Sequence, residues 1–493
     1  MRQGPLAGRY YPVASMVVFA LVPYLALSGA LGPITPTIAG DLHMSLQTMS
    51  LGLGLANAAY AVGTVLAVQF AALLPQRRMM VLYAIFLVIG SVMTAAAQSP
   101  AMFIVGHVVQ GLCTSLLLIA AAPPLFLGFP PSRLRPTAVI MNMCIFGAVA
   151  LGPLIGGIQA GAHGWRPLFW VVAGIAMTAL LLSVLTFEDA PPADPTAPKD
   201  PLAIVLAAVG SGAAFFGASQ LLTHPFLGAT TAVPLIGGLA VIVVLITSQS
   251  LKERPLLTIK SMLTSTIPVA GIVIALFAAA ASVSATDLSA NVLAPLHSPL
   301  HLGLLYLPEF AGAVITAIVL GAVLQRRGLQ YLPLIGMLFL AAGIVTFRIE
   351  LPPTVALTLV GSGLTGIGVG ATVAPALFVA GFSLQALNLQ RVFAIVELMR
   401  AVAAFMIAPV FAHFAQTVGT GPYGGTGIAL WIGAGLAIAG SLIAVALYAL
   451  GGARAAPADI EQFLAGEHPA WYSPPLLAAV RERTGRRVAE IHS

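Results

Sequence analysis

Five ionisable side chains lie inside apolar stretches of the chain, where a charge is costly and therefore indicates a function. They are His107, Asp287, Glu309, Glu397 and Arg400. Burial disfavours the charged form of a carboxylate, so such a group can take up a proton on one side of a barrier and release it on the other. We predict Glu309, Asp287, Glu397 and His107 as candidates for proton coupling, foremost Glu309 or Asp287, for which a static hydrogen-bonding role is the alternative.

Glu397 and Arg400 are three residues apart, which places them on one face of a helix. They would either neutralise each other as an ion pair, or Arg400 would bind an anionic group while Glu397 titrates. His107 poses a similar choice. Its imidazole would relay protons, because imidazole changes charge near neutral pH, or it would stay neutral and hydrogen-bonded between helices.

Milder polar side chains accompany these groups at helical spacing. We predict that they line a central cavity together with Arg400, with hydrogen bonding between helices as the alternative. A largely apolar cavity with few fixed polar groups suits hydrophobic or amphiphilic molecules. The predicted lining residues are Tyr24, Ser28, Asn57, Tyr60, Gln110, Thr114, Ser284, Asn291, Tyr306, Ser362 and Thr365.

Other chemistries have little support in the sequence. His297 and His301 fall in a predicted loop without further ligands, so no metal site is expected, and Cys113 and Cys144 fall within apolar spans as packing residues. A phosphate-binding GxxxxGK[ST] motif, an HExxH motif and a GxSxG motif are all missing from the sequence. ATP-driven transport and a membrane enzyme are therefore disfavoured, and no catalytic residues are predicted.

The elements that position these residues follow from composition. The chain is 59% hydrophobic and 7% charged, with a mean hydropathy of +1.01, whereas a soluble protein has about 25% charged residues. In lipid every backbone polar group must be satisfied within helices or a closed barrel. The apolar runs reach the roughly 20 residues that a spanning helix needs, so we predict an all-α membrane protein.

Fourteen spans are predicted, and the positive charges support that number. Of the 21 Lys and Arg, all but Arg166, Arg348 and Arg400 fall on the side of the N-terminus. This asymmetry places both termini in the cytoplasm and the chain in the cell inner (cytoplasmic) membrane. The net charge of +6 thus reflects topology, and no nucleic-acid partner is expected. The predicted spans lie near 13–35, 48–74, 79–97, 101–127, 136–161, 166–187, 201–222, 230–249, 264–290, 303–324, 330–348, 354–382, 392–416 and 427–450.

An internal repeat divides the spans into two groups. "LLPQRR" (73–78) and "VLQRRG" (323–328) each follow the second helix of a six-helix group, which indicates two similar halves with a substrate site between them. We predict a six-helix bundle over 1–187, a Pro-rich linker and two inserted helices facing lipid over 188–260, a second bundle over 261–450 and a cytoplasmic tail over 451–493. The tail would lie on the inner leaflet or be disordered.

The stretch 147–161 contains five Gly and one Pro inside a predicted span. Gly152 and Gly156 form a ridge of small residues that allows close helix packing, and Pro153 permits a bend. We predict that this helix packs against a helix of the opposite half and forms part of a hinge or seal. Tight packing without motion is the alternative.

Gly152, Pro153, Gly156 and Gly157, with Ala148 in place of a leading Gly, match an antiporter signature of the form Gly-x3-Gly-Pro-x2-Gly-Gly. On these residues the chain resembles the major facilitator superfamily, and within it the fourteen-helix drug:proton antiporter branch. The segments "PTIAGDL" (36–42) and "GWRPLFW" (164–170) are similar to the end of helix 1 and the start of helix 6 in that branch.

The chain also departs from the family pattern. Arg77 and Arg326 match arginines of the two equivalent loops, but Gln76 and Gln325 stand where the family has an acid. In helix 4, His107 stands where the family has Arg. The resemblance implies that Gly152, Pro153, Gly156, Gly157, Arg77 and Arg326 form the conformational motifs.

The resemblance implies two six-helix bundles plus two inserted helices, acting as a secondary transporter by alternating access. The expected function is export of small hydrophobic or amphiphilic compounds in exchange for protons, as in multidrug resistance. A proton gradient would supply the energy, with no cofactor. The expected partners are the substrate and membrane lipids, and the expected state is a monomer. The alternative is a lipid or natural-product carrier or flippase with weak or no proton coupling.

Overall fold

The computed structural model describes residues 4–162, 164–188 and 198–482, apart from the side chain of Ser284. Across these residues fourteen helices are long and apolar enough to cross a membrane, which confirms the predicted number. We label them α1 to α14 in chain order. They are Tyr10–Asp41, Leu46–Leu73, Gln76–Ala95, Pro100–Leu127, Pro131–Gly161, Arg166–Thr186, Pro201–Leu222, Ala229–Leu251, Thr266–Leu293, Pro299–Val323, Gly328–Arg348, Val355–Phe382, Ala386–Thr417 and Gly424–Gly451.

Side-chain caps fix several helix starts. The hydroxyls of Ser45, Ser99 and Thr354 each accept a hydrogen bond from a backbone N–H of the first turn, which satisfies a donor that the helix leaves free. The end of α1 differs from the prediction. It continues through Pro33 and Pro36 to Asp41, six residues past the predicted boundary, so these prolines do not end the helix.

Helix α5 is irregular along its length. It begins with a 3₁₀ turn at Pro131–Arg133, is α-helical over Leu134–Asn142, becomes a π-helix over Met143–Gly147 and returns to α-helix over Ala148–Gly161. Single π-helical turns inside α-helices are frequent at functional sites. Ile145 and Phe146 of this turn line the cavity described below.

The glycines of α5 pack against both halves. A Cβ at Gly152 or Gly156 would collide with the backbone of Gly29 and Ala30 on α1, which belongs to the same half. Gly157 alone of the three lies against the opposite half, at the backbone of Pro299 on α10. Helix α5 does pack against the opposite half, as predicted, through Gly157, whereas its Gly152 and Gly156 ridge packs on the other face of the helix against its own half; the hinge or seal role stays a prediction.

The two ends of the bundle differ. We call the end with the loop 74–75, the loop 324–327 and the C-terminal segment the basic end, and the other the opposite end. At the basic end Phe126 of α4 packs edge-on against Phe378 of α12, with ring centroids 5.1 Å apart, and Phe382 and Phe393 complete the cluster. This aromatic seal joins the first and second helix groups and closes the basic end.

A second contact between the groups lies beside the aromatic seal. Arg135 Nη2 of α5 donates a hydrogen bond to Gln325 Oε1, 3.2 Å away, in the loop after α10. Gln325 thus serves as a neutral acceptor at the position where the family has an acid. The boundaries predicted for the two six-helix groups stay a prediction.

The described part of the C-terminal segment folds back onto the basic end. Trp471 is 5% exposed and packs against Phe382 of the aromatic seal. Ala470 N–H donates to the Phe382 carbonyl at 2.8 Å, and Thr266 N–H to that of Pro474 at 2.9 Å. The disordered alternative for the tail is therefore wrong for residues 452–482, whereas contact of this segment with the inner leaflet stays a prediction. The basic residues Arg483, Arg486 and Arg487 of the tail lie outside the described residues.

Candidate functional site

A cavity of about 740 Å³ lies between the two helix groups. Its wall contains residues of α1, α2, α4 and α5 from the first group and of α9, α10, α12 and α13 from the second. It extends from Arg400, in the middle of α13, to Pro36, His297 and Ala412 near the opposite end. Because the aromatic seal closes the basic end, the structure has the cavity facing the opposite end.

Arg400 and Glu397 form an ion pair at the side of the cavity. Arg400 Nη2 lies 2.7 Å and Nε 2.9 Å from Glu397 Oε2. Tyr60 of α2 lies close to both, since its hydroxyl is 3.4 Å from Glu397 Oε2 and 3.4 Å from Arg400 Nη2. The geometry is that of mutual neutralisation, the first of the two interpretations, and it links α13 to α2. Glu397 is buried behind Arg400 and does not line the cavity.

Two further carboxylates, Asp287 of α9 and Glu309 of α10, line the same cavity. Neither has a Lys or Arg partner among residues 4–162, 164–188 and 198–482. Glu309 Oε1 lies 3.5 Å from the Thr286 hydroxyl, and its Oε2 is buried without a hydrogen-bond partner. Nearby, Ser289 Oγ and the Tyr306 hydroxyl are 2.5 Å apart. The second helix group therefore presents two carboxyl groups to the cavity without a balancing cation in the described part of the chain.

His107 of α4 lines the cavity on the other side. Its Nδ1 lies 3.2 Å from Gln110 Oε1, so Nδ1–H donates to the amide oxygen, and its ring centroid is 5.4 Å from that of Tyr24. Gln110 in turn donates from Nε2 to Ser91 Oγ on α3 at 3.0 Å. A buried hydrogen-bonded row thus leads from the cavity into the first group.

The chain is similar in sequence to known membrane proteins. The sequence profile of the Major Facilitator Superfamily matches residues 17–296, more than half of the chain. The chain belongs to the Major Facilitator Superfamily. The fourteen helices of the described residues that are long and apolar enough to cross a membrane agree with this membership.

Several superfamily members are similar to the chain. A "Multidrug resistance protein B homolog" of Mycobacterium tuberculosis is 28% identical over 304 residues, which cover 58% of this chain and 54% of that protein. "Lincomycin resistance protein LmrB" of Listeria innocua is 28% identical over 176 residues, covering 36% and 37%. The chain thus spans about half the length of the first of these relatives and a smaller part of the second.

A solved superfamily structure supports the fold. The human organic anion transporter MFSD10 (TETRAN) aligns with a TM-score of 0.60 over 88% of this chain and 99% of that protein, at 14% identity. At this identity the similarity concerns the fold alone.

The predicted cavity residues of this superfamily member fall into two sets. One set lines the cavity, and it consists of Tyr24, Ser28, Asn57, Asn291, Tyr306 and Arg400. The other set lies elsewhere. Tyr60 stacks behind Tyr24, Gln110 points to α3, and the side chain of Ser284 is outside the described residues.

The remaining candidates pack between helices. Thr114 is fully buried away from the cavity. Ser362 donates to the Leu305 carbonyl at 3.1 Å, and Thr365 is buried where Gly343 of α11 contacts α12. For Ser362 the alternative of bonding between helices holds, because its hydroxyl bridges α12 and the start of α10.

The conformational motif residues have separate surroundings. Pro153 lines the cavity, and Arg77 Nη2 donates to the Val184 carbonyl at the end of α6 over 3.0 Å. Arg326 lies in the loop at the basic end, next to the Gln325 that accepts from Arg135.

One contact near the opposite end was not predicted from the sequence. Trp165 Nε1 donates to Asp41 Oδ2 at 2.9 Å, Arg166 also pairs with this carboxylate, and Arg166 Nη2 donates to the Ala97 carbonyl at 2.9 Å. The segments 36–42 and 164–170 were each recognised in the sequence. Nothing in their composition showed that they meet, because 124 residues separate Asp41 from Trp165.

Proposed function

We propose that this transporter exports small hydrophobic or amphiphilic compounds in exchange for protons. The observation that carries the proposal is the pair Asp287 and Glu309, which face a largely apolar cavity between the two helix groups without a cationic partner in the described chain. A proton is the simplest neutralising partner for such a carboxylate. The names of two relatives, a multidrug resistance protein and a lincomycin resistance protein, agree with compound export.

The proposed cycle uses the two ends in turn. With the cavity facing the opposite end, substrate leaves and Glu309 or Asp287 takes up a proton. With the carboxylates neutral, the groups rearrange, the aromatic seal opens and the proton is exchanged for new substrate at the basic end. We place the basic end in the cytoplasm and the protein in the cell inner membrane as a monomer, driven by the proton gradient without a cofactor.

The charges of the cavity favour some substrates over others. Arg400 is already neutralised by Glu397 at 2.7 Å, so its attraction for an anion is weak. Asp287 and Glu309 leave the cavity with an excess of carboxylate. We therefore favour neutral amphiphiles or amphiphiles with a cationic end.

A carrier of lipids or natural products with weak or no proton coupling is the second candidate. The contact between Thr286 and Glu309 Oε1 favours it, because a carboxyl group held by a hydroxyl can serve a purely structural purpose.

The test is transport in proteoliposomes, with a panel of amphiphiles headed by tetraphenylphosphonium, a cation that carries no titratable proton. We expect a pH gradient to drive accumulation by the wild type. Glu309→Gln should abolish this drive and keep substrate counterflow. Glu350→Gln, at an exposed carboxylate of the loop 349–354, is the matched control and should behave as the wild type. Wild-type transport that ignores the pH gradient would favour the uncoupled carrier.

A further inference from the structure

The two inserted helices, α7 and α8, differ in what they face. Helix α8 presents Val233, Ile236 and Val243 to the outside, each more than half exposed, as expected for contact with lipid. Helix α7 contributes to the wall of the cavity through Phe215, Ala218, Ser219 and Leu222. The prediction that both inserted helices only face lipid is therefore wrong for α7.

Helix α7 is attached to α2 at both of its ends. At the basic end Asp200 N–H donates to Gln69 Oε1 at 2.7 Å. At the opposite end Gln47 Nε2 donates to Gln220 Oε1 at 3.1 Å. Between these bonds Gly54 of α2 lies against the backbone of Phe215. These contacts hold α7 along α2 and thus along the first helix group.

The other edge of α7 meets the second helix group. His413 Nδ1 of α13 lies 2.8 Å from the Leu221 carbonyl, to which it donates. At the level of Tyr60 and Glu397, α2 and α13 contact each other directly. Nearer the opposite end α7 lies against both, so its last turns close the cavity on that side.

We propose that α7 is a wall of the transport cavity, that Phe215 limits the width of the cavity along this wall and that Leu222 limits it at the open end. The inserted helix would then select substrates by size, which a helix facing only lipid cannot do. This inference rests on the cavity being the transport path of the proposed function. The wall itself can be tested without any substrate.

Adjacent phenylalanines provide a matched pair of variants. Phe215 is 2% exposed and lines the cavity, whereas Phe216 is 42% exposed and does not line it. Phe215→Ala removes an aromatic ring from the cavity wall and leaves space there, since protein interiors are densely packed and close only partly around a deletion. Phe216→Ala makes the same chemical change on the outer face.

The experiment measures how fast thiol reagents of two sizes reach a reporter cysteine inside the cavity. Ser28→Cys supplies the reporter at a lining position, and the native Cys113 and Cys144 are buried. A small and a bulky methanethiosulfonate are applied from the opposite end, and the ratio of their modification rates is compared between variants. We expect Phe215→Ala to raise the relative rate of the bulky reagent severalfold, Leu222→Trp to lower it and Phe216→Ala to leave it unchanged.

Equal ratios in Phe215→Ala and Phe216→Ala would overturn the proposal. If Phe215→Ala fails to fold, Phe215→Leu takes its place, with Phe216→Leu as its control. In the transport assay Phe215→Ala should raise the uptake of tetraphenylphosphonium relative to tetrapropylphosphonium several-fold. A changed ratio of the two modification rates, together with transport that ignores the pH gradient, would reject proton exchange and support α7 as a cavity wall. An unchanged ratio, together with transport that responds to the pH gradient, would reject the wall and support proton exchange.

Discussion

Glu397 and Glu309 are both buried carboxyl groups inside spanning helices, yet their surroundings are opposite. Glu397 is bound by Arg400 at 2.7 Å and approached by Tyr60, and it lies behind the cavity wall. Glu309 has one contact to a hydroxyl at 3.5 Å and a free oxygen, and it lies in the cavity wall beside Asp287. The Glu397 carboxylate is thus neutralised within its own helix, whereas an unpaired one is free to bind a proton or a cationic substrate.

Breaking the ion pair should have the largest effect. Arg400→Ala leaves the Glu397 carboxylate buried without a cation to neutralise it, which costs about 3–5 kcal/mol. We expect a corresponding fall in thermal stability, measured on detergent-solubilised protein. The double variant Arg400→Met/Glu397→Gln, which removes both charges, should recover most of the loss. Equal stability of Arg400→Ala and wild type would show that the pair does not neutralise a buried charge.

Removing the Tyr60 hydroxyl, which lies near both members of the ion pair, should lower the stability less. Tyr60→Phe deletes a hydroxyl that is 3.4 Å from both Glu397 and Arg400, and the expected loss is about 1 kcal/mol. Tyr24→Phe is the control, because that phenol stacks on Tyr60 without a hydrogen bond to the ion pair. A larger loss in Tyr24→Phe than in Tyr60→Phe would contradict the assigned contact.

Neutralising Glu309, the unpaired carboxylate, should change the stability less than the variants of Arg400 and Tyr60. Glu309→Gln breaks no ion pair and can keep the contact with Thr286, so we expect a change within about 1 kcal/mol. The same variant should lose the response to a pH gradient. A stability loss as large as that of Arg400→Ala would show that Glu309 has a structural partner of comparable strength.

Asp200 provides a paired carboxylate outside the spans for comparison. Burial alone would raise the pKa of Asp200, but hydrogen bonds from Lys252 and Gln249 outweigh it and hold the pKa below its usual value. The stability that this site contributes is present above the usual Asp pKa of about 3.9 and is lost as the pH falls through the lower folded-state pKa.

The check for Asp200 is thermal unfolding as a function of pH. Asp200→Asn should make the thermal stability fall slightly less steeply at acid pH. The change is small because only one carboxylate is removed. Asp459→Asn is the control, since Asp459 and Asp200 each accept a hydrogen bond from a backbone N–H at the start of a helix, and the helix of Asp459 lies in the C-terminal segment. An unchanged acid profile in Asp200→Asn would contradict the lowered pKa.

The sequence predicted the elements well because lipid leaves few choices. An apolar run of about 20 residues can satisfy its backbone only as a helix, so the fourteen spans were confirmed. Spacing placed Glu397 and Arg400 on one face, but it could not decide between pairing and ligand binding. That choice depends on Tyr60, which is 337 residues from Glu397 and belongs to another helix.

The remaining differences share one cause. Small residues and apolar helices carry little information about their partners, since lipid and protein surroundings are equally apolar. The sequence therefore could not assign Gly152 to α1 or Phe215 to the cavity. The contact of Trp471 with Phe382 could not be predicted for the same reason, because an aromatic side chain near a membrane end suits a lipid surface and a protein groove equally well.

The most direct measurement is proton release on substrate binding. Tetraphenylphosphonium is added to detergent-solubilised protein in weakly buffered solution, and the pH change is recorded. The wild type and Glu397→Gln should release protons, whereas Glu309→Gln/Asp287→Asn should bind the cation weakly and release none. Wild-type binding without proton release, or undiminished release from the double variant, would contradict the assignment of Glu309 and Asp287 as the coupling carboxylates.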